Sequence, residues 1–214
     1  MSVANKIIIY TDGSSLGNPG PGGFGAVIWL RSNTKGESGE EKKDEVFEIG
    51  ERSEGVTTNN RMEIMAAIEA LLAVEKYSAE VTIYTDSEYL LNGITKWIFN
   101  WQKKGWKTAG KKPVLNQDLW QRLLLLSSHR EKIGGLKWRQ VTAHTGILGN
   151  ERADTIATSF AEGKDVTFAR GTREEYEKLF SGKLEESTPP QSSPFKGEEE
   201  LAPPPYKGEV GRGS

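Results

Sequence analysis

Two strand-like apolar runs in this chain end in nearly the same way. Ile7–Tyr10 and Val81–Tyr84 each finish in tyrosine and are followed by Thr-Asp and a small residue, which places Asp12 after the first run and Asp86 after the second. Between them, apolar residues recur at helical spacing over 60–76, which predicts a βαβ unit with parallel strands. Open α/β sheets bind ligands at the carboxyl ends of such strands. The pattern therefore predicts an α/β fold with Asp12 and Asp86 close together at one edge of a sheet.

The remaining periodic segments predict a mixed five-stranded sheet with helices on both faces. The first three strands form an antiparallel meander, and the fourth and fifth follow the helices of the chain. These additional elements are strands at Gly22–Leu30, Glu45–Glu51 and Leu136–Val141, and helices at Ser87–Leu91, Lys96–Gln102, Asn116–Ser128 and Gly149–Phe160.

The composition divides the chain into three parts. Residues 1–162 of the 214 are predicted to form one catalytic domain, because their apolar residues suffice for a core of ordinary size. Residues 163–184 are a short extension with a helical piece at Arg173–Phe180. Residues 185–214 are rich in Pro, Gly, Glu, Lys and Ser, a composition that predicts disorder. A Pro-Phe/Tyr-Lys-Gly-Glu sequence occurs there twice, too few copies for a repeat fold. An inert tail is the favoured interpretation and a peptide ligand or tether the alternative.

Charge and cysteine content exclude several classes of protein. The net charge is −2, so no overall basic field indicates a nucleic-acid partner, and any such surface must be local. The absence of cysteine excludes disulfides and thiolate metal sites, as suits a reducing compartment. No apolar run has the roughly 20 residues of a membrane span, and the first residues do not resemble a signal peptide. We expect a cytoplasmic protein without a membrane partner.

Two further acids join Asp12 and Asp86 as candidate metal ligands. Glu63 lies early in the helix at 60–76, and Asp154 lies in the last predicted helix of the domain. Carboxylate oxygens are the ligands that Mg²⁺ prefers, and a bound cation offsets the repulsion between clustered carboxylates. Taken singly, Asp12 before Gly13 is typical of a turn and Asp86 before Ser87 of a helix cap. The four together predict a divalent-metal site.

Several motifs that occur in order along the chain identify a family. They are Tyr10–Ser14, Leu16–Gly23, Thr58–Glu63, Tyr84–Ser87, Trp101–Lys107, His144–Gly146 and Asn150–Asp154. With these motifs the chain resembles the type 1 ribonuclease H enzymes over residues 4–162, and closely resembles the bacterial form that lacks a separate hybrid-binding domain. Several long motifs in register are a far more specific signal than any one of them.

The resemblance implies a ribonuclease H-like fold and an endonuclease that hydrolyses the RNA strand of RNA/DNA hybrids. It implies that Asp12, Glu63, Asp86 and Asp154 hold two Mg²⁺ ions, for which Mn²⁺ should substitute, and that products carry 5′-phosphate and 3′-hydroxyl ends. His144 matches a residue that assists proton transfer or product departure, and we do not expect it to ligate metal.

The resemblance also implies a set of substrate contacts. Asn18, Asn59, Asn60 and Ser87 resemble residues that line the minor groove of the hybrid, and Thr58 and Asn116 match positions that hold a DNA-strand phosphate. Turn and cap roles are the alternative for these side chains. Family members often carry a basic residue where this chain has Val56, although Arg52 is near in sequence. A lysine-rich stretch free of acids resembles the basic protrusion that grips DNA, and its candidate contacts are Lys103, Lys104, Lys107, Lys111 and Lys112.

Two other functions use the same fold. A non-catalytic hybrid-binding protein would be signalled by loss of a metal-binding acid, and all four acids are present. A transposase or integrase nuclease would also use clustered acids, but the lysine-rich stretch and the motif at 59–63 favour ribonuclease H. We expect a monomer.

Overall fold

The computed structural model describes residues 4–32, 43–142 and 145–184, which build a six-stranded mixed sheet with helices on both faces. The strands lie in the order β5-β4-β1-β2-β3-β6. Their bounds are β1 Lys6–Ser15, β2 Gly22–Arg31, β3 Glu45–Arg52, β4 Glu80–Thr85, β5 Leu136–Gln140 and β6 Arg170–Thr172. The helices are α1 Asn59–Ala73, α2 Glu88–Asn92, α3 Ile98–Lys103, α4 Gln117–Ile133, α5 Leu148–Ala161 and α6 Arg173–Leu184, with a π-helical turn at Gly93–Trp97 joining α2 to α3.

The central strand β1 has a different kind of partner on each side. It pairs in parallel with β4 from Lys6 to Tyr10 and antiparallel with β2 along its whole length. The parallel pairing of β1 with β4 confirms the predicted βαβ unit, and β4 in turn pairs in parallel with β5. The strand begins at the predicted Lys6 but continues past its predicted end at Tyr10, because β2 extends the hydrogen-bonded ladder to Ser15. Asp12 therefore lies inside β1, just beyond the end of its pairing with β4.

The larger core lies between one face of the sheet and helices α1 and α4. Ile7 and Ile9 of β1 meet Ile64 and Ile68 of α1 and Trp120 of α4, and none of these side chains is exposed. Full burial of one large apolar side chain stabilises the fold by roughly 1.5–3 kcal/mol, because its surface is removed from water. This packing holds α1, and the acid in its second turn, at a fixed height above β1.

A smaller core lies on the other face, under α5 and α6. Val27 and Val46 of the sheet pack there with Ala153 of α5 and with Tyr176 and Phe180 of α6. Tyr176 is only 2% exposed and Phe180 7%. The helix predicted at Arg173–Phe180 is therefore present, extends to Leu184, and is packed against the sheet.

The predicted count of five strands is wrong, because β6 adds a sixth strand to the sheet. Arg170–Thr172 pairs antiparallel with residues 45–47 of β3 at the edge of the sheet. Three residues with the sequence Arg-Gly-Thr carry no alternation of apolar and polar side chains, which is the signal from which strands are predicted. Backbone pairing with β3, rather than side-chain burial, makes this segment a strand.

No helix in the described ranges combines the length and the apolar character that crossing a lipid bilayer requires. The segment predicted to be disordered, 185–214, lies outside the described residues.

Deleting residues 185–214 should leave hybrid cleavage within about twofold of the full chain and Tm nearly unchanged, since segments of this composition bury little surface. Deleting 163–214 should instead lower Tm markedly, because it removes the buried side chains of Tyr176 and Phe180. Thermal melts and initial cleavage rates of both truncations make the comparison. A large loss in the shorter deletion would show that the tail packs on the domain.

Candidate active site

Three carboxylates from separate parts of the chain meet at the edge of the sheet. Oxygen atoms of Asp12 in β1, Glu63 in α1 and Asp86 directly after β4 lie within 4.8 Å of one another. Asp12 and Glu63 are buried, at 8% and 4% exposure, and Asp86 is half-buried. This spacing suits a cation that shares oxygen ligands from all three side chains.

Gly13 allows α1 to come close enough for Glu63 to reach Asp12. A Cβ atom at Gly13 would lie 2.1 Å from the backbone nitrogen of Glu63, so the helix rests directly on the β1 backbone. Thr58 fixes the start of the helix, since its hydroxyl accepts a hydrogen bond from the Arg61 N–H at 3.4 Å. Glu63 is thus positioned by the contact between two backbones.

The clustered carboxylates disfavour one another's charge. Burial, followed by the charges of Asp86 and Asp154 and hydrogen bonding with Asp154, raises the pKa of Asp12 to about 8. Burial and the charges of Asp12 and Asp86 raise the pKa of Glu63 well above its ordinary value. Moreover, the Oε2 atom of Glu63 is buried without a hydrogen-bond partner among the described residues. Divalent cations fit this site, because they would supply the missing partner and offset the repulsion.

Asp154 lies beside the three clustered acids but is not one of them. It is half-buried on α5, where the Thr158 hydroxyl donates a hydrogen bond to its Oδ1 at 3.3 Å. Its charge and hydrogen bonding nevertheless act on the pKa of Asp12, so the two carboxyl groups are neighbours. The structure thus brings together three of the predicted metal ligands and places the fourth next to Asp12.

Asn150 is a polar residue of this site that begins the motif Asn150–Asp154, although the sequence indicated no separate role for it. Its side chain is 3% exposed and donates from Nδ2 to Oδ2 of Asp86 at 3.5 Å, while its Oδ1 has no partner among the described residues. The signal that could have revealed it is its position four residues before Asp154, which places both side chains on one face of α5.

The two predicted phosphate contacts are linked through Arg61. The backbone N–H of Arg61 donates to the Thr58 hydroxyl. The Arg61 guanidinium donates to Oδ1 of Asn116 at 3.3 Å and to both carboxylate oxygens of Asp118. Asn116 adopts a left-handed conformation, with φ of 59°, and its Nδ2 donates to the Tyr89 hydroxyl at 3.2 Å. Arg61 and Tyr89 were not predicted to take part, and their contacts fix the direction of the Asn116 side chain.

The position that often carries a basic residue in the family is open to solvent here. Val56 is 76% exposed. The nearby Arg52 is held elsewhere, since its guanidinium donates to the carbonyl oxygens of Phe160 at 3.1 Å and Lys164 at 3.4 Å, beside the end of α5.

The predicted groove-lining residues lie at loop ends and helix starts. Asn18 is exposed in the loop between β1 and β2, and Asn59 and Asn60 are exposed in the first turn of α1. Ser87 caps α2, where its hydroxyl accepts a hydrogen bond from the Leu90 N–H at 3.2 Å. His144 lies outside the described residues.

The lysine-rich segment 96–112, here called the basic protrusion, has charged and aromatic sides. All five lysines predicted to bind DNA are exposed. Beneath them, the rings of Trp97 and Trp101 lie 5.8 Å apart, and Trp101 lies 5.6 Å from Trp120 in the core. Trp101 and Trp106 are partly buried against the larger core, so the tryptophans support the protrusion.

Comparison with known proteins identifies the family. The RNase H family matches residues 4–162. Ribonuclease H of Thermosynechococcus vestitus is 47% identical over 160 residues, which cover 74% of this chain and 90% of that protein. Ribonuclease H of Enterobacter sp. is 49% identical over 173 residues, which cover 79% of this chain and 100% of that protein.

Among solved structures, LC9-RNase H1, described as a type 1 RNase H with the type 2 active-site motif, superposes with a TM-score of 0.65 and 26% identity. The alignment covers 99% of this chain and 98% of LC9-RNase H1. The chain therefore belongs to the type 1 ribonuclease H family and is an endonuclease for the RNA strand of RNA/DNA hybrids.

Proposed function

We propose that this ribonuclease H acts through two divalent cations, Mg²⁺ in the cell, held by Asp12, Glu63, Asp86 and Asp154. The proposal rests on the geometry of the site: carboxylate oxygens of Asp12, Glu63 and Asp86 lie within 4.8 Å of one another. This crowding, together with burial, raises the pKa of Asp12 to about 8. Such a group is unfavourable without a counter-charge and favourable with one. Mn²⁺ should substitute, since it shares the preference for oxygen ligands.

Each part of the site has a distinct task in hydrolysis. When bound, the cations would supply activation of the attacking water and stabilisation of the leaving 3′-oxygen. The buried Asp12 and Glu63 would hold the cations at a fixed point, while the buried Asn150 amide donates a hydrogen bond to Asp86. Burial strengthens these electrostatic interactions because water screens them less. The fixed carboxylates would thus hold the cations, rather than the phosphate itself, at defined positions.

Hybrid binding is proposed to use three surfaces around the acids. Asn18, Asn59, Asn60 and Ser87 would contact the minor groove, where a 2′-hydroxyl distinguishes RNA from DNA. Thr58 and Asn116 would hold a phosphate of the DNA strand, and the basic protrusion would bind the DNA backbone further along. Exposure of the lysines and of the three asparagines supports this assignment.

The test of this mechanism is the chemistry of the product ends. An RNA strand labelled at one end and annealed to DNA should yield fragments with 5′-phosphate and 3′-hydroxyl termini in Mg²⁺ or Mn²⁺ and none in EDTA. Fragments with 2′,3′-cyclic phosphates would contradict it, because they arise from attack by the 2′-hydroxyl rather than by water.

We further propose that the protein works as a monomer in the cytoplasm. The absence of cysteine supports a reducing compartment. Light scattering during gel filtration should give the mass of one chain, and a mass of two chains would contradict the proposed monomer.

His144→Ala should slow turnover by about 10- to 1000-fold without abolishing metal-dependent cleavage, because general acid–base groups contribute on this scale and the metal ligands remain. Steady-state rates in Mg²⁺ measure the loss. An unchanged rate would remove His144 from the reaction.

Replacing Lys103, Lys104, Lys107, Lys111 and Lys112 by alanine should raise KM for the hybrid and flatten its dependence on salt. Each lost phosphate contact should lower the log–log slope by roughly 0.7 to 0.9. Lys76→Ala combined with Lys132→Ala removes exposed charge elsewhere and should keep the original slope. Equal salt dependence in the unaltered chain, the five-lysine variant and the two-lysine control would show that the lysines of the protrusion are solvated and do not contact phosphate.

A further inference from the structure

A buried ion pair joins α5 to β3 of the sheet. Arg152 of α5 donates from Nε to Oε1 of Glu48 at 2.8 Å and from Nη2 to Oε2 at 3.0 Å. The Glu48 side chain is completely buried and that of Arg152 is 14% exposed. Arg152 stands two residues before Asp154, so the pair acts on the same turn of helix that carries the fourth candidate metal ligand.

Residues beyond the family match complete this ion pair. The Tyr176 hydroxyl donates to Oε1 of Glu48 at 2.6 Å, and the Ala169 N–H donates to Oε2 at 2.8 Å. Arg152 also donates to the Thr167 carbonyl oxygen at 3.1 Å. Each oxygen of Glu48 thus accepts two hydrogen bonds, which fills the capacity of a carboxylate. Burial and the hydrogen bond to Glu48 raise the pKa of Tyr176, so its hydroxyl stays a donor.

Helix α5 lies very close to the sheet where the strands carry glycine. Cβ atoms built at Gly25 and Gly50 would lie 2.4 Å from the Ala153 carbonyl oxygen and 2.6 Å from Cγ2 of Ile156. The start of α5 has no side-chain cap, since Ile147 occupies that position. This packing sets how closely the helix approaches the sheet, and the bidentate ion pair adds a directional contact two residues before Asp154.

We propose that Glu48 is a positioning residue for the metal site. Together with Tyr176 it holds Arg152, and so fixes the turn of α5 that presents Asp154 to Asp12. On this basis residues 163–184 are a working part of the nuclease, although the family match ends at residue 162. The inference rests on the metal-dependent function proposed above.

The experiment compares Glu48→Gln and Tyr176→Phe with the unaltered full chain. Glu48→Gln keeps the shape of the side chain but replaces one acceptor oxygen by an amide NH₂ group, which cannot accept hydrogen bonds from Arg152 and the Ala169 N–H. Tyr176→Phe removes a single hydrogen bond to Glu48. Glu162→Gln is the matched control, because it removes an exposed ion pair with Lys164 at the end of the same helix. The Kd for Mn²⁺ is measured by calorimetry, and kcat and KM are measured by steady-state cleavage of the hybrid. Every measurement is made at a temperature well below the Tm of the variant concerned.

We expect Glu48→Gln to raise the Mn²⁺ Kd by about 10-fold and lower kcat by a similar factor, as for residues that orient metal ligands. KM for the hybrid should stay within about twofold, and Tyr176→Phe should shift the same quantities by about threefold in the same direction. Glu162→Gln should leave all of them unchanged.

A lower Tm with unaltered Mn²⁺ Kd and kcat would overturn the inference and make the ion pair purely structural. If Glu48→Gln does not fold, Tyr176→Phe decides by the same criterion. Failure of the unaltered chain to bind Mn²⁺ would instead overturn the proposed two-cation function itself.

Discussion

Asp12→Asn should lower hybrid cleavage by at least about 1000-fold, which corresponds to a loss of about 4 kcal/mol of transition-state stabilisation. The amide keeps the shape of the side chain but removes the charge at the centre of the cluster, where Asp12 neighbours both Asp86 and Asp154. Cations should then be held weakly, and both water activation and leaving-group stabilisation should fail. Single-turnover cleavage in Mg²⁺ measures the loss.

Hybrid binding should survive in the same variant, because the proposed backbone contacts lie outside the acidic cluster and a charge that repels phosphate has gone. Equilibrium binding of a labelled hybrid, with the unaltered chain beside it, measures this. Retained cleavage would refute the assignment of Asp12, and loss of binding together with cleavage would indicate a disrupted surface rather than a missing ligand.

Asp12→Asn, which should lower cleavage, should raise the free energy of unfolding at neutral pH when no metal is bound. The pKa of Asp12 is raised to about 8 in the folded protein, so ionising it opposes folding. In EDTA, the free energy of unfolding should therefore fall as pH rises from about 4 through about 8, and Asp12→Asn should reduce that fall. Urea unfolding at several pH values tests this. A fall of the same size in both proteins would contradict the raised pKa.

Gly13→Ala should lower both stability and activity. The added Cβ would meet the Glu63 backbone nitrogen at 2.1 Å and the Met62 carbonyl carbon at 2.2 Å, and neither backbone atom can move without α1. We expect the free energy of unfolding to fall by about 3 kcal/mol, the upper end of ordinary overpacking. Moving Glu63 by about 1 Å should reduce cleavage by roughly 100-fold in the fraction that remains folded.

The matched control for this variant is Gly55→Ala. Gly55 has no heavy atom within 4 Å of a built Cβ, so this substitution should alter neither property appreciably. Urea unfolding and cleavage rates of both variants give the comparison. Equal, small effects at the two positions would mean that α1 does not depend on direct contact with β1.

Much of the fold could be predicted because the parallel strands and α1 carry strong periodic signals. The apolar runs ending at Tyr10 and Tyr84 are confirmed as parallel neighbours, which accounts for the closeness of Asp12 and Asp86. β6 could not be predicted, since a three-residue edge strand is defined by its partner rather than by its own side chains. The same dependence on β2 extends β1 past Asp12.

The side chains that orient the candidate ligands were harder to predict than the ligands. Asn150 lies 64 residues from Asp86 in sequence, and Arg61 lies 55 from Asn116, so only the folded chain shows these contacts. Glu48 gave a partial signal, because strand alternation places it on the same face as the buried Val46. A buried carboxylate requires a partner, but the sequence could not show that the partners are Arg152 and Tyr176.

Cleavage of matched duplexes by the full chain tests the assigned activity directly. An RNA/DNA hybrid, the corresponding RNA/RNA duplex and the DNA/DNA duplex are each labelled and incubated with and without Mg²⁺. We expect cleavage of the RNA strand of the hybrid alone, and only when Mg²⁺ is present. Equal cleavage of all three duplexes, or cleavage of the hybrid in EDTA, would contradict it.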